Sequence, residues 1–101
     1  MSSSKIAKRY SKALVGLCDK DKSHEHVARD LKKIVDALEE NPQVPAALVD
    51  PKVGRATKAK VLESIGQSLL LRPLTRNLLS YLNDQGRLGE IEGILSDFNE
   101  R

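Results

Sequence analysis

The chain has 101 residues, of which 40% are apolar, 31% are charged and only 3% are aromatic, a composition that predicts one small globular domain with an aliphatic core. The single cysteine excludes an internal disulfide, and the net charge of +3 is mild, although residues 1–22 carry most of the positive excess. Because no apolar run approaches the roughly 20 residues of a membrane span and the first residues lack a signal core, we expect a soluble intracellular domain without membrane insertion.

Helical periodicity extends along the whole chain, and no segment alternates like a half-buried strand. The first predicted helix extends from about Ser4 to Asp19. The second has Ser23 as its N-cap and ends near Asn41-Pro42. A short third helix, from Pro42 to about Val49, lies between two pairs, Asn41-Pro42 and Asp50-Pro51, each interpreted as a capping side chain followed by proline at a first helical position.

Three more helices are predicted in the second half of the chain. The fourth extends from Arg55 to about Leu70, with Gly66 as a weak point. The fifth begins at Arg72-Pro73 and ends at Gly86, which is expected to form a left-handed C-terminal cap. The sixth has one apolar face, formed by Leu88, Ile91, Ile94, Leu95 and Phe98. The predicted fold class is therefore all-α, a compact six-helix bundle of a single domain.

Two of the helices have wider apolar arcs than one packing contact requires. At about 100° per residue, the second, fourth and sixth helices have an arc of about 100–120°, enough for one buried stripe. The arc of the first helix spans about 140°, and Ser11 and Val15 extend it to about 200°. The arc of the fifth helix, which includes Leu74, Leu79 and Leu82, spans about 160°. Either both helices are central in the bundle, or they form an apolar groove that receives a partner helix.

Four sequence stretches carry a resemblance to a known family. They are Tyr10-Ser11-Lys12-Ala13-Leu14, Asn41-Pro42, Leu48-Val49-Asp50-Pro51 and the stretch from Asn77 to Leu88, which includes Gly86-Arg87-Leu88. In this order and spacing the chain resembles, over nearly its whole length, the N-terminal domain of the delta subunit of F-type ATP synthases, called OSCP in mitochondria. Two departures, Ser11 for a usual alanine and Val15 for a usual phenylalanine, change the shape of the groove.

The resemblance implies a non-catalytic stator adaptor, monomeric when free. The family's N-terminal domain sits on the catalytic head and binds the amphipathic N-terminal helix of an alpha subunit between its first and fifth helices. The positions that would line this groove are Ile6, Tyr10, Ala13, Leu14, Leu17, Asn77, Leu78, Tyr81 and Leu82. We expect the chain to lie at the cytoplasmic face of a bacterial inner membrane, or on the mitochondrial matrix side, through its complex.

Family members are longer than this chain, and their C-terminal part holds the b subunits of the peripheral stalk. The resemblance therefore implies that residues 1–101 are the N-terminal domain alone, with the stalk-binding part absent. On this interpretation, the chain reaches the b subunit only through that missing part.

A basic flank on the first helix, formed by Lys5, Lys8, Arg9 and Lys12, leaves an alternative open: a small basic helical nucleic-acid-binding or regulatory domain. Nucleic-acid binding is disfavoured because the chain has few aromatic side chains on which bases could stack.

No motif for catalysis, metal binding or cofactor binding is recognised in the sequence. His24 and His26 lie about 200° apart on a helix and cannot share a metal ion, and Cys18 is expected to be a small core residue. The sequence also contains no glycine-rich phosphate loop. We therefore expect no catalytic residue, no metal and no cofactor.

Overall fold

A computed structural model describes residues 4–101, and this part of the chain folds into six α-helices and one short 3₁₀ turn. The radius of gyration is 12.7 Å. The all-α six-helix prediction is confirmed. The helices are α1 Lys5–Asp21, α2 His24–Glu40, α3 Gln43–Val49, α4 Arg55–Ser68, α5 Pro73–Asp84 and α6 Ile91–Glu100, and the 3₁₀ turn is Leu88–Glu90.

The ends of α1 follow from local hydrogen bonding. Ser4 is its N-cap, and the Ser4 hydroxyl accepts a hydrogen bond from the backbone N–H of Ala7 at 3.0 Å. The helix ends two residues later than predicted, at Asp21, where Lys22 turns the chain with a left-handed φ of 56°. Ser23 takes the N-cap position of α2 as predicted, but its buried hydroxyl lies beside the Cys18 thiol and does not cap the helix.

The predicted start and end of α5 are both confirmed. Pro73 occupies the first turn, where its missing N–H costs nothing. Gly86 has a φ of 67°, and the backbone N–H of Arg87 donates to the Leu82 carbonyl at 2.7 Å, which closes a Schellman motif. Because a side chain is disfavoured at this φ, glycine is the residue that ends α5 with least strain.

Both Asx-Pro pairs differ from their predicted role as helix N-caps. The Asn41 side-chain amide donates to the Ala37 carbonyl at 3.0 Å, so it ends α2, and Pro42 precedes the first residue of α3. Asp50 accepts from the backbone N–H of Lys52 at 2.9 Å, an Asx turn that starts a bend and not a helix. Asx side chains support turns as readily as helix starts, which explains both differences.

The fourth helix ends at Ser68, earlier than predicted, because Leu70 adopts a left-handed φ of 55° and the backbone N–H of Leu71 bonds to the Gly66 carbonyl at 2.9 Å. The Arg76 guanidinium donates to the same carbonyl at 2.9 Å and to that of Leu71 at 3.0 Å. A Cβ on Gly66 would come within 3.2 Å of Arg76 Nε. Gly66 therefore leaves room for the Arg76 side chain and does not interrupt α4.

The core is aliphatic, as the composition predicts, with α6 packed against α1 and α2, and α5 packed against α4 and α2. Small side chains on one face of α1, including the fully buried Ala7, Ser11 and Cys18, allow α1 to lie close to α6. Cys18 is a core residue, as expected.

A buried carboxylate fixes the start of α5 to α2. Asp30 Oδ2 accepts hydrogen bonds from the Thr75 hydroxyl at 2.8 Å and from the backbone N–H of Arg72 at 2.9 Å. Asp30 and Thr75 are both buried, so these bonds are shielded from water. They hold the first turn of α5 in a defined position, and α5 forms one wall of an open cleft.

Candidate functional site

An open cleft lies between α1 and α5 and has a volume of about 450 Å³. We call it the α1–α5 cleft. The helices run antiparallel, since Tyr10, early in α1, contacts Tyr81, late in α5, while Arg72 at the start of α5 acts electrostatically on Asp21 at the end of α1. The lining residues are Arg9, Tyr10, Ala13, Leu14, Leu17, Leu74, Asn77, Leu78 and Tyr81.

The wide apolar arc of α1 corresponds to two different faces. Ala7, Ser11 and Cys18 point into the core, whereas Tyr10 and Leu17 point into the cleft. Leu14 is 3% exposed and belongs to both, because it lies at the boundary between the two faces. One face of α1 is therefore packed in the core, and a second apolar face is covered by no part of the described chain.

The two tyrosines form the aromatic end of the cleft. Their ring centroids are 5.9 Å apart and the ring planes meet at 70°, an edge-to-face arrangement. Tyr81 is 51% exposed, and Leu17, farther along α1, is 48% exposed. Large apolar side chains with this much exposure, gathered in one concave surface, are typical of an interaction site.

Most of the predicted groove residues meet in this cleft. The structure brings together Tyr10, Ala13, Leu14, Leu17, Asn77, Leu78 and Tyr81 of the predicted set.

Ile6 and Leu82 are two corrections to that set. Ile6 is half-buried and lies one helical turn before Tyr10, beyond the point where Tyr10 meets Tyr81. Leu82 is fully buried, because it lies about 100° around α5 from Tyr81 and faces the core beside Leu79.

Two lining residues were absent from the predicted groove. Leu74 lies about 20° around α5 from Tyr81, so helical geometry alone could have included it. Arg9 belongs to the basic flank and was not predicted to line the groove. It lies about 40° around α1 from Ala13, at the edge of the apolar arc.

The basic flank of α1 divides between two surroundings. Arg9 lines the cleft, whereas the positive charge of Lys8 acts on Asp97 of α6. The hydrogen bond from Arg101, at 2.7 Å, is the main cause that lowers the pKa of Asp97, and the Ser11 hydroxyl and the positive charge of Lys8 lower it further. The charge of Lys8 thus has an acidic neighbour within the fold, whereas no ion pair found among residues 4–101 includes Arg9.

The described residues form neither a candidate metal site nor a helix of membrane-spanning type. Within residues 4–101, no group of three or more His, Cys, Asp or Glu side chains is arranged to hold a metal ion. His24 Nε2 lies 2.6 Å from Asp19 Oδ1, an exposed pair that joins the end of α1 to the start of α2. None of the helices in the described part of the chain is long and apolar enough to cross a membrane.

Sequence comparison relates the chain to one family. The family model described as "ATP synthase delta (OSCP) subunit" matches residues 6–101. The mitochondrial ATP synthase peripheral stalk subunits OSCP of Mus musculus and Homo sapiens are each 35% identical to this chain over 94 residues, and that of Rattus norvegicus is 34% identical. Each alignment covers 93% of this chain and 44% of the relative, so the chain spans less than half the length of these relatives. The family resemblance seen in the sequence is confirmed: the chain belongs to the ATP synthase delta (OSCP) family, whose members are structural and non-catalytic subunits of the synthase.

Proposed function

We propose that this chain is a stator adaptor of an F-type ATP synthase, which binds the amphipathic N-terminal helix of an alpha subunit in the α1–α5 cleft. In this role it helps to connect the catalytic head to the peripheral stalk while proton flow drives ATP synthesis. The complex lies peripherally at the cytoplasmic face of a bacterial inner membrane or on the matrix side of a mitochondrial one. The contact with the stalk b subunit lies in the part of the longer relatives that this chain does not span.

The observation that carries the proposal is an apolar cleft with two antiparallel helices as its walls. The lining positions from Arg9 to Leu17 extend over about 12 Å of the α1 axis, room for about two turns of a partner helix. Side chains of a third helix can insert between two such walls, as ridges insert into grooves in helix packing. An amphipathic helix is the ligand that buries such a surface with its own backbone hydrogen bonds satisfied.

The side chains of the cleft suit an interface. Tyr10 and Tyr81 each offer a large apolar ring with few rotatable bonds, and each hydroxyl can remain hydrated at the rim. Leu17 and Leu78 supply aliphatic area farther along the same surface. Burying half-exposed side chains of this kind gains free energy without rearranging the core, since the core face of each helix is already packed.

The test is a titration of ¹⁵N-labelled protein with a peptide of about 20 residues from the N-terminus of the alpha subunit of the same organism. We expect the largest NMR shifts at backbone amides of α1 and α5. Tyr81→Ala should weaken binding about 30-fold, which corresponds to about 2 kcal/mol, with little change in the melting temperature.

Val49→Ala is the matched control, because Val49 is an apolar side chain of similar exposure, 56%, that lies on α3 outside the cleft. It should bind the peptide like the wild type. Absence of binding to the wild-type protein, or equal losses for the Tyr81 and Val49 variants, would contradict the proposal.

A further inference from the structure

The two rims of the α1–α5 cleft differ in charge. On the α1 side, Arg9 lines the cleft, and Lys5 and Lys20 are exposed on the same side of the helix. Around the helix axis, Lys20 lies about 20° and Arg9 about 40° from Ala13, and Lys5 lies about 40° beyond Arg9. We call these three residues the basic rim.

The cleft edge of α5 carries no matching row of positive charge; Arg72, just before Pro73, is exposed, and its charge acts on Asp21 at the end of α1. The exposed positions along that edge, at spacings of four, three and four residues, are Pro73, Asn77, Ser80 and Asp84. Because the helices are antiparallel, Asp84 lies at the same end of the cleft as Lys5, and Pro73 lies at the same end as Lys20. The α1 rim is therefore positive, while this row of four positions on α5 is neutral apart from the Asp84 carboxylate at one end.

The basic rim has no acidic partner within the described part of the chain. The ion pairs found among residues 4–101 are His24–Asp19, Lys32–Asp36 and Arg101–Asp97, and none includes a residue of the rim. Positive charge left beside an apolar cleft favours a ligand with negative charge next to its apolar face, since complementary rims raise association rate and fix the register of a bound helix.

We propose that the occupant of the cleft is an amphipathic helix with acidic side chains along one flank of its apolar face, and that this flank lies against α1. The inference rests on the proposed function and adds to it the chemistry of the partner and the rotation of the helix about its own axis. The apolar face supplies most of the affinity, and the acidic flank decides which side of the helix faces α1 rather than α5.

The experiment compares charge-reversal variants with the same alpha-subunit N-terminal peptide by isothermal titration calorimetry. Arg9→Glu should weaken binding about threefold, and Arg9→Glu with Lys20→Glu about tenfold, in about 50 mM salt. Both losses should shrink at about 500 mM salt, where exposed charges are screened. Lys33→Glu with Lys60→Glu changes net charge equally at exposed positions of α2 and α4, and it should bind like the wild type.

A peptide in which the acidic residues of one flank are replaced by lysine gives the second arm. It should bind the double rim variant more tightly than the wild type, because the charges are again complementary. If lysine replacements on the opposite flank of the peptide change its affinity for the two proteins in the same way, the proposed rotation of the helix is wrong. Circular dichroism checks that each variant keeps its helix content.

The outcomes separate this inference from the proposed function. If the peptide binds and Tyr81→Ala weakens it while the rim variants bind normally, the inference is wrong and the proposed function stands. If the wild type does not bind the peptide, both are wrong. Displacement of the peptide by a single-stranded oligonucleotide at low salt, lost in the rim variant, would assign the rim to nucleic acid and overturn the inference.

Discussion

The core-facing and cleft-facing sides of α1 and α5 use the same helices for different purposes. On the core side, small or fully buried residues such as Ser11, Thr75 and Leu79 set how closely the helices pack. On the cleft side, larger residues such as Tyr81 and Leu17 remain about half exposed. An unusually wide apolar arc can therefore combine one packed face with one available face. Substitutions on the two sides should therefore affect different measurements.

The largest expected effect is on the core side. Leu82→Ala should lower the free energy of unfolding by about 3 kcal/mol, because it removes a fully buried side chain and leaves a cavity. Urea denaturation followed by circular dichroism measures the loss. The folded fraction should bind the alpha-subunit peptide normally. If the variant instead had wild-type stability and weakened peptide binding, Leu82 would belong to the groove as first predicted.

Asp30→Ala should come next, with a loss of about 2 kcal/mol in the free energy of unfolding. The substitution leaves the Thr75 hydroxyl and the Arg72 backbone N–H without their buried acceptor. Thr75→Val removes one of these bonds with little change in shape and should cost less. Chemical denaturation of both single variants and the double variant gives the coupling between them. Additive losses would show that Asp30 does not hold α5 through Thr75.

On the cleft side, a substitution should affect peptide binding more than it affects the free energy of unfolding. Leu17→Ala should weaken peptide binding about fivefold, equivalent to about 1 kcal/mol, because Leu17 contributes exposed apolar area to the cleft face of α1. The free energy of unfolding should change by less than this, since half of the side chain is already in water. The comparison fails if Leu17→Ala destabilises the fold as much as Leu82→Ala.

The smallest expected effect is the pH dependence of stability through Asp97. The pKa of this carboxyl is lowered from its usual 3.8, first by the hydrogen bond from Arg101. Because the folded state binds the proton less tightly than the unfolded state, the contribution is present above about pH 4 and is lost as the pH falls through the folded pKa. Asp97→Asn should flatten the acid side of the stability curve. Glu63→Gln, on the exposed side of α4, should leave that curve unchanged.

The sequence was a good guide where one residue type has one conformational consequence. Proline at the start of α5 and Gly86 at its end were both assigned correctly. It was a poorer guide at Lys22 and Leu70, which adopt positive φ without being glycine, so no residue signal marks those turns.

The candidate site shows the same limit at the edges of the apolar arcs. Periodicity indicated the width of each arc and included Tyr10 and Tyr81, which both line the cleft. It could not tell which edge of the α5 arc faces the core, so Leu82 was included and Leu74 left out. That choice depends on where α2 and α4 pack against α5, which is tertiary information.

The burial of Cys18 makes the protein convenient for labelling. It is the only cysteine in the sequence, it is fully buried, and burial raises the pKa of its thiol, so little reactive thiolate is present near neutral pH. A cysteine introduced at the exposed Asn77 would be the reactive one, without removal of the native residue. A fluorophore attached there would report directly when the cleft is occupied.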